Sequence, residues 1–351
     1  MGRSNRYTDS ATIIALLLLS SSGLFILLTV NRALFWQQLF YALSAGVCFF
    51  FLSRIDRIIY VWSAPFVYIA SIFFLLSSYL GPEIRGATRW IIVGPIQIQP
   101  SELVKPLLLL SFALFIAVYP PKKLTTILIH LGIFFLPLIL VLKQPDLGTG
   151  IVYTVSWITM MTMGGLPLSI VGITPVIFIT ILPLMWRLLI PYQKSRLLTF
   201  INPMLDPQGV GYNAIQAMIA VGSGQWFGRG LGLGTQSHLR FLPEYYTDFI
   251  FATLVEELGF IGGAVLLILY GFLLWRIMSP LLSGQITERV PVIFSIGLFS
   301  MLLTQIVINS GMNMGMIPVT GITLPLVSYG GSSLLSVAVS FAILWAIALG
   351  K

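Results

Sequence analysis

The chain has 351 residues, of which 57% are hydrophobic and only 9% are charged, and its mean hydropathy is +0.97. These totals exclude a soluble domain, because a single hydrophobic core stops growing at roughly 250–300 residues. The formal charge of +8 would suggest nucleic acid in a soluble protein, but here Lys and Arg stand mostly in short pairs beside apolar runs, where they set membrane topology. The composition therefore indicates a polytopic membrane protein with no nucleic-acid partner, and the single cysteine, Cys48, excludes a disulfide framework.

Ten apolar runs predict membrane-spanning helices, since a helix needs about 20 apolar residues to cross the hydrocarbon. The first run is too long for a signal-peptide core and has no small-residue cleavage pattern after it, so it predicts an uncleaved span. The ten runs cover residues 11–30, 34–52, 58–80, 101–119, 124–142, 148–164, 167–189, 249–275, 290–310 and 326–349.

The distribution of Lys and Arg predicts the orientation of these spans. One face carries Arg3, Arg6, Arg54, Arg57, Lys122, Lys123, Arg276, Arg289 and Lys351, whereas the short loops of the other face hold only Arg32, Arg85, Arg89 and Lys143. The positive-inside rule places both termini in the cytoplasm and the long loop of residues 191–247 outside. The expected fold is an all-α polytopic integral membrane protein, a single domain over residues 1–351, with this extracytoplasmic loop between the seventh and eighth spans.

Residues 241–263, FLPEYYTDFIFATLVEELGFIGG, carry Glu244 and Asp248 to the boundary between the long loop and the eighth span. Asp248 next to Thr247 is within reach of a polar substrate, but an N-terminal helix cap is the stronger reading of the residues alone. Glu256 and Glu257 follow about two turns into the helix, and we expect them to make structural hydrogen bonds.

Glu102 and Lys105 stand three residues apart at the start of the fourth span and therefore share a helix face. They predict either a structural ion pair or a polar cavity for a charged headgroup, and ionisable groups within a span favour the second. Asp146, at the start of the sixth span, is equally suited to a helix cap and to a polar site. Arg85 and Arg89 are either solvated loop charges or phosphate ligands.

Several of these segments together resemble the SEDS family (shape, elongation, division and sporulation), which includes RodA and FtsW. The matching segments appear in the same order as in the family and cover most of the chain: GATRWI from Gly86, QPSELVK from Gln99, QPDLGT from Gln144, DPQGVGYNAIQ from Asp206, GSGQWFGRGLGLGTQSHLRFLPE from Gly222, TDFIFA from Thr247, EELGF from Glu256 and NSGMNMGMIPVTGITLPLVSYGGSS from Asn309. GTQSHLRFLPE and PVTGITLP are more similar to RodA than to FtsW. One position departs from the pattern, because Tyr246 stands where family members often have a histidine.

The resemblance implies a peptidoglycan glycosyltransferase that polymerises lipid II into glycan strands on the outer face of the bacterial cytoplasmic membrane, for wall elongation and rod shape. Asp248 matches the acid that the family uses as general base, and the long loop would form part of the active site. The leaving pyrophosphate needs countercharge from Lys105, Arg89, Arg196 and Arg240, in falling order of expectation, or from a divalent cation such as Mg²⁺ or Mn²⁺. Glu102 would position Lys105, and the other substrate-binding candidates are Asp146, Glu244, Ser332 and Ser333.

The implied partners are a class B penicillin-binding protein, which is a transpeptidase, and other membrane proteins of the elongation complex; no organic cofactor is expected. Two other functions fit the residues. A lipid II flippase would also use intramembrane charges, although the polar motifs gather on one side of the predicted membrane. A scaffold that only recruits a wall-building enzyme would need no catalytic acid.

Overall fold

The computed structural model describes residues 10–83, 88–94, 96–173, 180, 186–187, 191–202, 206 and 209–349. Most of the predicted seventh span, together with Arg3, Arg6, Arg85 and Lys351, lies outside the described residues. Helices dominate the rest, as the sequence predicts. Their bounds are α1 Ser10–Val30, α2 Arg32–Leu52, α3 Arg57–Ser77, α4 Pro100–Leu103, α5 Lys105–Val118, α6 Leu124–Lys143, α7 Leu147–Met163, α8 Pro191–Ile201, α9 Val210–Ser223, α10 Thr235–His238, α11 Ile250–Leu282, α12 Arg289–Asn313 and α13 Gly331–Leu349.

Among the described residues, seven helices are long and apolar enough to cross a membrane: α1, α2, α3 with the 3₁₀ turn that follows it, α6, α11, α12 and α13. The predicted fourth span is divided at Val104 into α4 and α5. Pro106 explains the division, because it has no N–H to donate to the carbonyl four residues earlier. The sixth span is the 17-residue helix α7.

The bundle is built around α12 and α13. About 67% of the apolar window of each is buried, against 17% for α2, so these two helices are central and α2 faces the surroundings. α12 packs on α5, α7 and α11, while α13 packs on α2. Small residues permit the close approach, since a Cβ on Gly331 would lie 2.9 Å from the ring of Tyr41.

The segment predicted as a long loop, residues 191–247, contains helices α8, α9 and α10. The apolar part of this segment forms α9, which packs on α11 and α12. The Gly-rich part makes tight turns, with positive φ at Gly228, Gly230 and Gly232.

A short antiparallel hairpin precedes α4, and the sequence analysis does not predict it. Strand β1 (Ile91–Val93) pairs with β2 (Ile96–Ile98), with Ile91 opposite Ile98 and Gly94 at φ +60° in the turn. The hairpin connects Arg89 to the start of α4, so it joins two parts of the candidate site.

Candidate active site

Asp248 lies just before α11 but does not cap it, so the helix-cap reading is wrong. The cap position belongs to Phe249, which makes no side-chain cap hydrogen bond. Oδ2 of Asp248 faces Gly321, where a Cβ would lie 3.4 Å away. The side chain is half-buried, and its carboxylate therefore remains available for chemistry.

Asn313 of α12 takes over the capping role, and Asn309 of the same helix helps to hold the backbone of Asp248. Asn313 accepts a hydrogen bond from the backbone N–H of Ala252 through Oδ1 at 3.0 Å. Its Nδ2 donates to the backbone carbonyl of Asp248 at 3.0 Å, and Nδ2 of Asn309 donates to the same carbonyl at 2.9 Å. Asn309 also donates to the carbonyl of Ile322 at 2.7 Å. These amides hold the Asp248 backbone against the segment after α12.

The sequence analysis misses Asn309 and Asn313 as individual positioning residues. The signal that could have found them is two amides four residues apart in an otherwise apolar span, since buried amides need partners on a neighbouring element.

The surroundings of Asp248 hold its pKa well above the usual range. Burial is the main cause, the carboxylate of Glu244 adds to it, and Asp146 contributes a smaller increase. The guanidinium groups of Arg89 and Arg196 oppose these effects, and the resulting pKa is about 6. The site thus combines a carboxylate that ionises near neutral pH with two nearby cations.

The two arginines reach Asp248 from distant parts of the chain. Arg196 lies on α8 and donates from Nη1 to the carbonyl of Val319 at 3.0 Å. Arg89 lies just before the hairpin, and its buried Nε has no hydrogen-bond partner among the described residues. Arg240 is exposed in the turn after α10, with φ +60°, and is not among the charges that act on Asp248. Arg89 and Arg196 are therefore the candidate ligands of an anion at this carboxylate.

Glu102 and Lys105 form the predicted ion pair. Nζ of Lys105 lies 2.6 Å from Oε1 of Glu102, and both residues are buried, at 3% and 6% exposure for Lys105 and Glu102. A buried charge is costly without a partner, so this pair holds both side chains in place. The cavity next to Lys105 is lined by residues of α5, α7 and α12, including Phe112, Tyr153 and Met301, and Asp248 is not one of them.

Asp146 caps α7. Its Oδ1 accepts from the backbone N–H of Thr149 at 3.0 Å, and its Oδ2 accepts from the Thr149 hydroxyl at 2.9 Å and from Nε2 of Gln99 at 3.0 Å. The cap reading is thus confirmed, while a role in substrate binding stays a prediction. Through Gln99, Asp146 also joins α7 to the segment between β2 and α4.

The serines near the start of α13 connect the same elements. The hydroxyl of Ser332 accepts from the backbone N–H of Gln99 at 2.9 Å, and the hydroxyl of Thr323 donates to Ser333 at 3.3 Å. Ser328 donates to the carbonyl of Thr247, the residue before Asp248, at 2.6 Å. These hydrogen bonds place the serines next to the site, and a role of Ser332 and Ser333 in substrate binding stays a prediction.

Glu244 lies in the loop before Asp248, at φ +54°. It accepts a hydrogen bond from the hydroxyl of Thr247 at 2.9 Å, and its backbone carbonyl accepts from the N–H of Phe249 at 3.2 Å. It therefore shapes the turn that presents Asp248, in addition to its electrostatic effect.

The expected structural hydrogen bonds of Glu256 and Glu257 are present. Glu256 accepts from the backbone N–H of Gln236 at 2.9 Å, and Glu257 accepts from the hydroxyl of Thr29 at 3.0 Å and pairs with Nε2 of His238 at 2.9 Å. Both glutamates are fully buried. They attach α10 to α11 below Asp248.

The comparisons with known proteins show the family of this chain. A family model described as cell cycle protein, the FtsW, RodA and SpoVE family, matches residues 7–351. Peptidoglycan glycosyltransferase MrdB of Escherichia coli K12 is 40% identical over 301 residues, which cover 84% of this chain and 80% of MrdB. Stage V sporulation protein E of Bacillus subtilis is 38% identical over 318 residues, which cover 85% of this chain and 82% of that protein. The chain belongs to this family.

Solved structures extend the agreement to the fold and to the RodA branch of the SEDS family. A chain from the study "Structural coordination of polymerization and crosslinking by a peptidoglycan synthase complex" matches with a TM-score of 0.82 at 29% identity over 97% of both chains. The rod shape determining protein RodA of Thermus thermophilus matches with a TM-score of 0.71 at 27% identity, over 96% of this chain and 95% of that one. The predicted resemblance to RodA is confirmed.

Tyr246, where SEDS proteins often have a histidine, has a packing role in this chain. Its ring makes edge contacts with Tyr245 and Tyr329, and its carbonyl accepts from the backbone N–H of Tyr329 at 2.9 Å. The tyrosine cluster therefore links the turn before Asp248 to the segment before α13.

Proposed function

We propose that this protein is a peptidoglycan glycosyltransferase that polymerises lipid II on the outer face of the cytoplasmic membrane, in wall elongation. The observation that carries the proposal is Asp248, a half-buried carboxyl with a pKa of about 6 whose charge is influenced by Arg89 and Arg196. The family to which the chain belongs, and the relative named peptidoglycan glycosyltransferase, support this class of reaction.

In this reaction a sugar hydroxyl of one substrate attacks the anomeric carbon of another. Asp248 accepts the hydroxyl proton as the glycosidic bond forms, because a base with a pKa near the working pH transfers protons efficiently. The bond from the anomeric carbon to the lipid-linked pyrophosphate breaks, and the leaving group departs with the electron pair. Arg89 and Arg196 neutralise the charge that develops on the pyrophosphate.

The polyprenyl tail requires an apolar surface near these cations. A cavity lies beside Arg196 between α8, α9 and α12, and its lining includes Met218, Met312 and Ile317. Flexible methionine side chains suit an irregular isoprenoid chain. This cavity supports a lipid-linked substrate, with its charged end at Arg196 and its tail among the helices.

A divalent cation at the pyrophosphate stays a prediction. The described residues contain no group of three or more His, Cys, Asp or Glu side chains able to hold a metal ion, so they do not build an all-protein metal site. Mg²⁺ is often bound by one or two carboxylates together with substrate phosphates, but no step of the proposed reaction depends on such an ion.

The proposed partner is a class B penicillin-binding protein that crosslinks the new strands. The support is the family resemblance together with the matching chain of 29% identity, which comes from a peptidoglycan synthase complex that coordinates polymerization and crosslinking.

The test supplies labelled lipid II to purified protein in detergent with its transpeptidase partner. We expect glycan polymer from wild type, and at least a hundredfold less from Asp248→Asn, because removing a general base costs roughly 10²–10⁴ in rate. Glu83→Gln is the matched control, since Glu83 is an exposed acid in the segment that leads to Arg89. This variant should polymerise lipid II like wild type.

A detergent micelle does not separate two compartments, so transport of lipid II by a flippase cannot produce a signal that resembles glycan polymer. Equal polymer from wild type and Asp248→Asn would refute the role of Asp248. No polymer from wild type with its partner would refute the enzyme and favour the flippase or the scaffold.

A further inference from the structure

A second cavity lies between the ends of α1, α11 and α13, far from the candidate active site. Its apolar wall includes Ile277, Phe341 and Leu344. With a rise of about 1.5 Å per residue, Ile277 lies roughly 40 Å along α11 from Ile250. The cavity is therefore at the end of the bundle opposite Asp248.

One polar group in this cavity has no acceptor. Trp345 lines the cavity, and its indole N–H is buried without a hydrogen-bond partner among the described residues. The ring of Phe49 contacts the indole edge-on, with 5.4 Å between centroids, and holds it in place. Buried donors are rarely left unpaired, least of all within a membrane, so this N–H indicates a missing ligand with an acceptor atom.

The cavity also carries a positive charge. Arg276 lines it together with the hydroxyl of Thr12 and the amide of Gln285. The guanidinium lies 5.3 Å from the ring of Trp275, an indole that is 52% exposed on the outside of α11. Exposed tryptophans next to arginines are typical of the headgroup level of a membrane.

We infer that this cavity binds an anionic glycerophospholipid of the surrounding leaflet. The guanidinium fork of Arg276 suits the phosphate oxygens, and the indole N–H of Trp345 supplies a further donor. The wall of Ile277, Phe341 and Leu344 takes the first part of an acyl chain. A free phosphate ion would leave this apolar wall in contact with water, which favours the lipid as the source of the phosphate.

The test measures lipid retention by the full-length protein purified in detergent. Native mass spectrometry would follow titrations with phosphatidylglycerol and with phosphatidylcholine of the same acyl chains. We expect tighter retention of phosphatidylglycerol, and roughly fivefold weaker retention after Arg276→Gln or Trp345→Phe, the effect of about one charge or donor at a membrane surface. Trp345→Phe keeps an aromatic ring against Phe49, so it removes the donor and preserves the packing.

Arg54→Gln is the matched control, because Arg54 is also a membrane-end arginine stacked on an aromatic ring, 3.6 Å from that of Phe50, and it does not line the cavity. It should retain phosphatidylglycerol like wild type. Size-exclusion profiles and circular dichroism check that every variant is folded. Equal retention by wild type and both cavity variants would overturn the inference, as would an equal loss in Arg54→Gln. Displacement of the lipid by millimolar inorganic phosphate would overturn the choice of a lipid over a free anion.

Discussion

The ionisation of Asp248 depends on charged side chains that belong to separate segments of the chain. Glu244 comes from the same loop, whereas Arg89 comes from the segment just before the hairpin and Arg196 from α8. Burial disfavours the charged carboxylate and the arginines favour it. The balance leaves the group able to gain and lose a proton near neutral pH.

This balance predicts the pH dependence of polymerisation. A general base must be deprotonated, so the rate of the wild type should rise with pH up to about 6 and level off above it, following the pKa of Asp248. The measurement is initial polymer formation from pH 5 to 8. A profile that is flat across pH 6 would contradict the role of Asp248 as base.

The same raised pKa predicts an effect on stability. The pKa of Asp248 in the folded protein is about 6, above its ordinary value of 3.8, so the folded state holds the proton more tightly and loses stability as the pH rises from 3.8 to 6. Asp248→Asn removes this loss and should unfold at a higher temperature than wild type at pH 7.5. Two pKa units correspond to at most about 3 kcal/mol, less for a side chain that water partly reaches.

Thermal unfolding in detergent at several pH values gives the control for this effect. The difference between Asp248→Asn and wild type should shrink as the pH falls from 6 toward 3.8, because the wild-type carboxyl becomes neutral in the folded and then in the unfolded state. A difference that is constant with pH would show that it arises from packing and not from ionisation.

At the scale of elements, helix α11 is interrupted at Gly259, and the Gly-rich turn of the long loop packs against the interruption. Gly259 has φ +71° and ψ −171°, a conformation essentially restricted to glycine. The freed N–H groups of Phe260 and Ile261 donate to the carbonyls of Gln225 and Trp226 at 2.7 and 3.2 Å. The turn thus replaces the missing helical acceptors, which is how a helix within a membrane tolerates a break.

Gly259→Ala should destabilise the protein strongly. The new Cβ would lie 2.3 Å from the backbone N of Gly228 and 2.5 Å from the carbonyl oxygen of Trp226, and backbone atoms yield less easily than side chains. Backbone strain and overpacking together should lower the free energy of unfolding by about 2–4 kcal/mol, measured as a lower melting temperature.

Gly271→Ala is the matched control for this prediction. Gly271 lies in the same helix, and a Cβ there meets nothing within 4 Å, so the substitution should change the free energy of unfolding by less than about 1 kcal/mol. Similar melting temperatures for Gly259→Ala and Gly271→Ala would contradict the account of the helix break.

At the scale of the whole molecule, the distribution of basic residues predicts that the loop carrying Asp248 is outside the cell. In a Cys48→Ser background, a membrane-impermeant maleimide should label Phe241→Cys in intact cells, since Phe241 is 48% exposed. Thr287→Cys, in the exposed loop between α11 and α12, should react only after permeabilisation. The reverse pattern would contradict the orientation and with it the outer-face reaction.

Sequence reasoning recovers those parts of the site that are local along the chain. The Glu102–Lys105 pair follows from helical spacing, and the cap by Asp146 is one of two roles that its position allowed. An acid before a helix is a good local cap, so the residues alone favoured that reading of Asp248. The reading is wrong because the amide oxygen of Asn313, on the distant helix α12, accepts from the backbone N–H of Ala252 instead. The same limitation applies to the order of the four candidate cations, because the tertiary fold decides which of them act on Asp248.

The sequence by itself determined that this is a membrane protein, to which family it belongs and where most of its membrane-spanning helices lie. Apolar runs of about 20 residues leave a helix few alternatives in a membrane, and ordered motifs over most of the chain identify the SEDS family. Only the tertiary structure decided how Asp248 is held, which arginines influence its charge and where α11 breaks. Those features depend on interactions between residues that are far apart in the chain, from Gly228 with Gly259 to Arg89 with Asp248, and such interactions leave no periodic pattern along the chain.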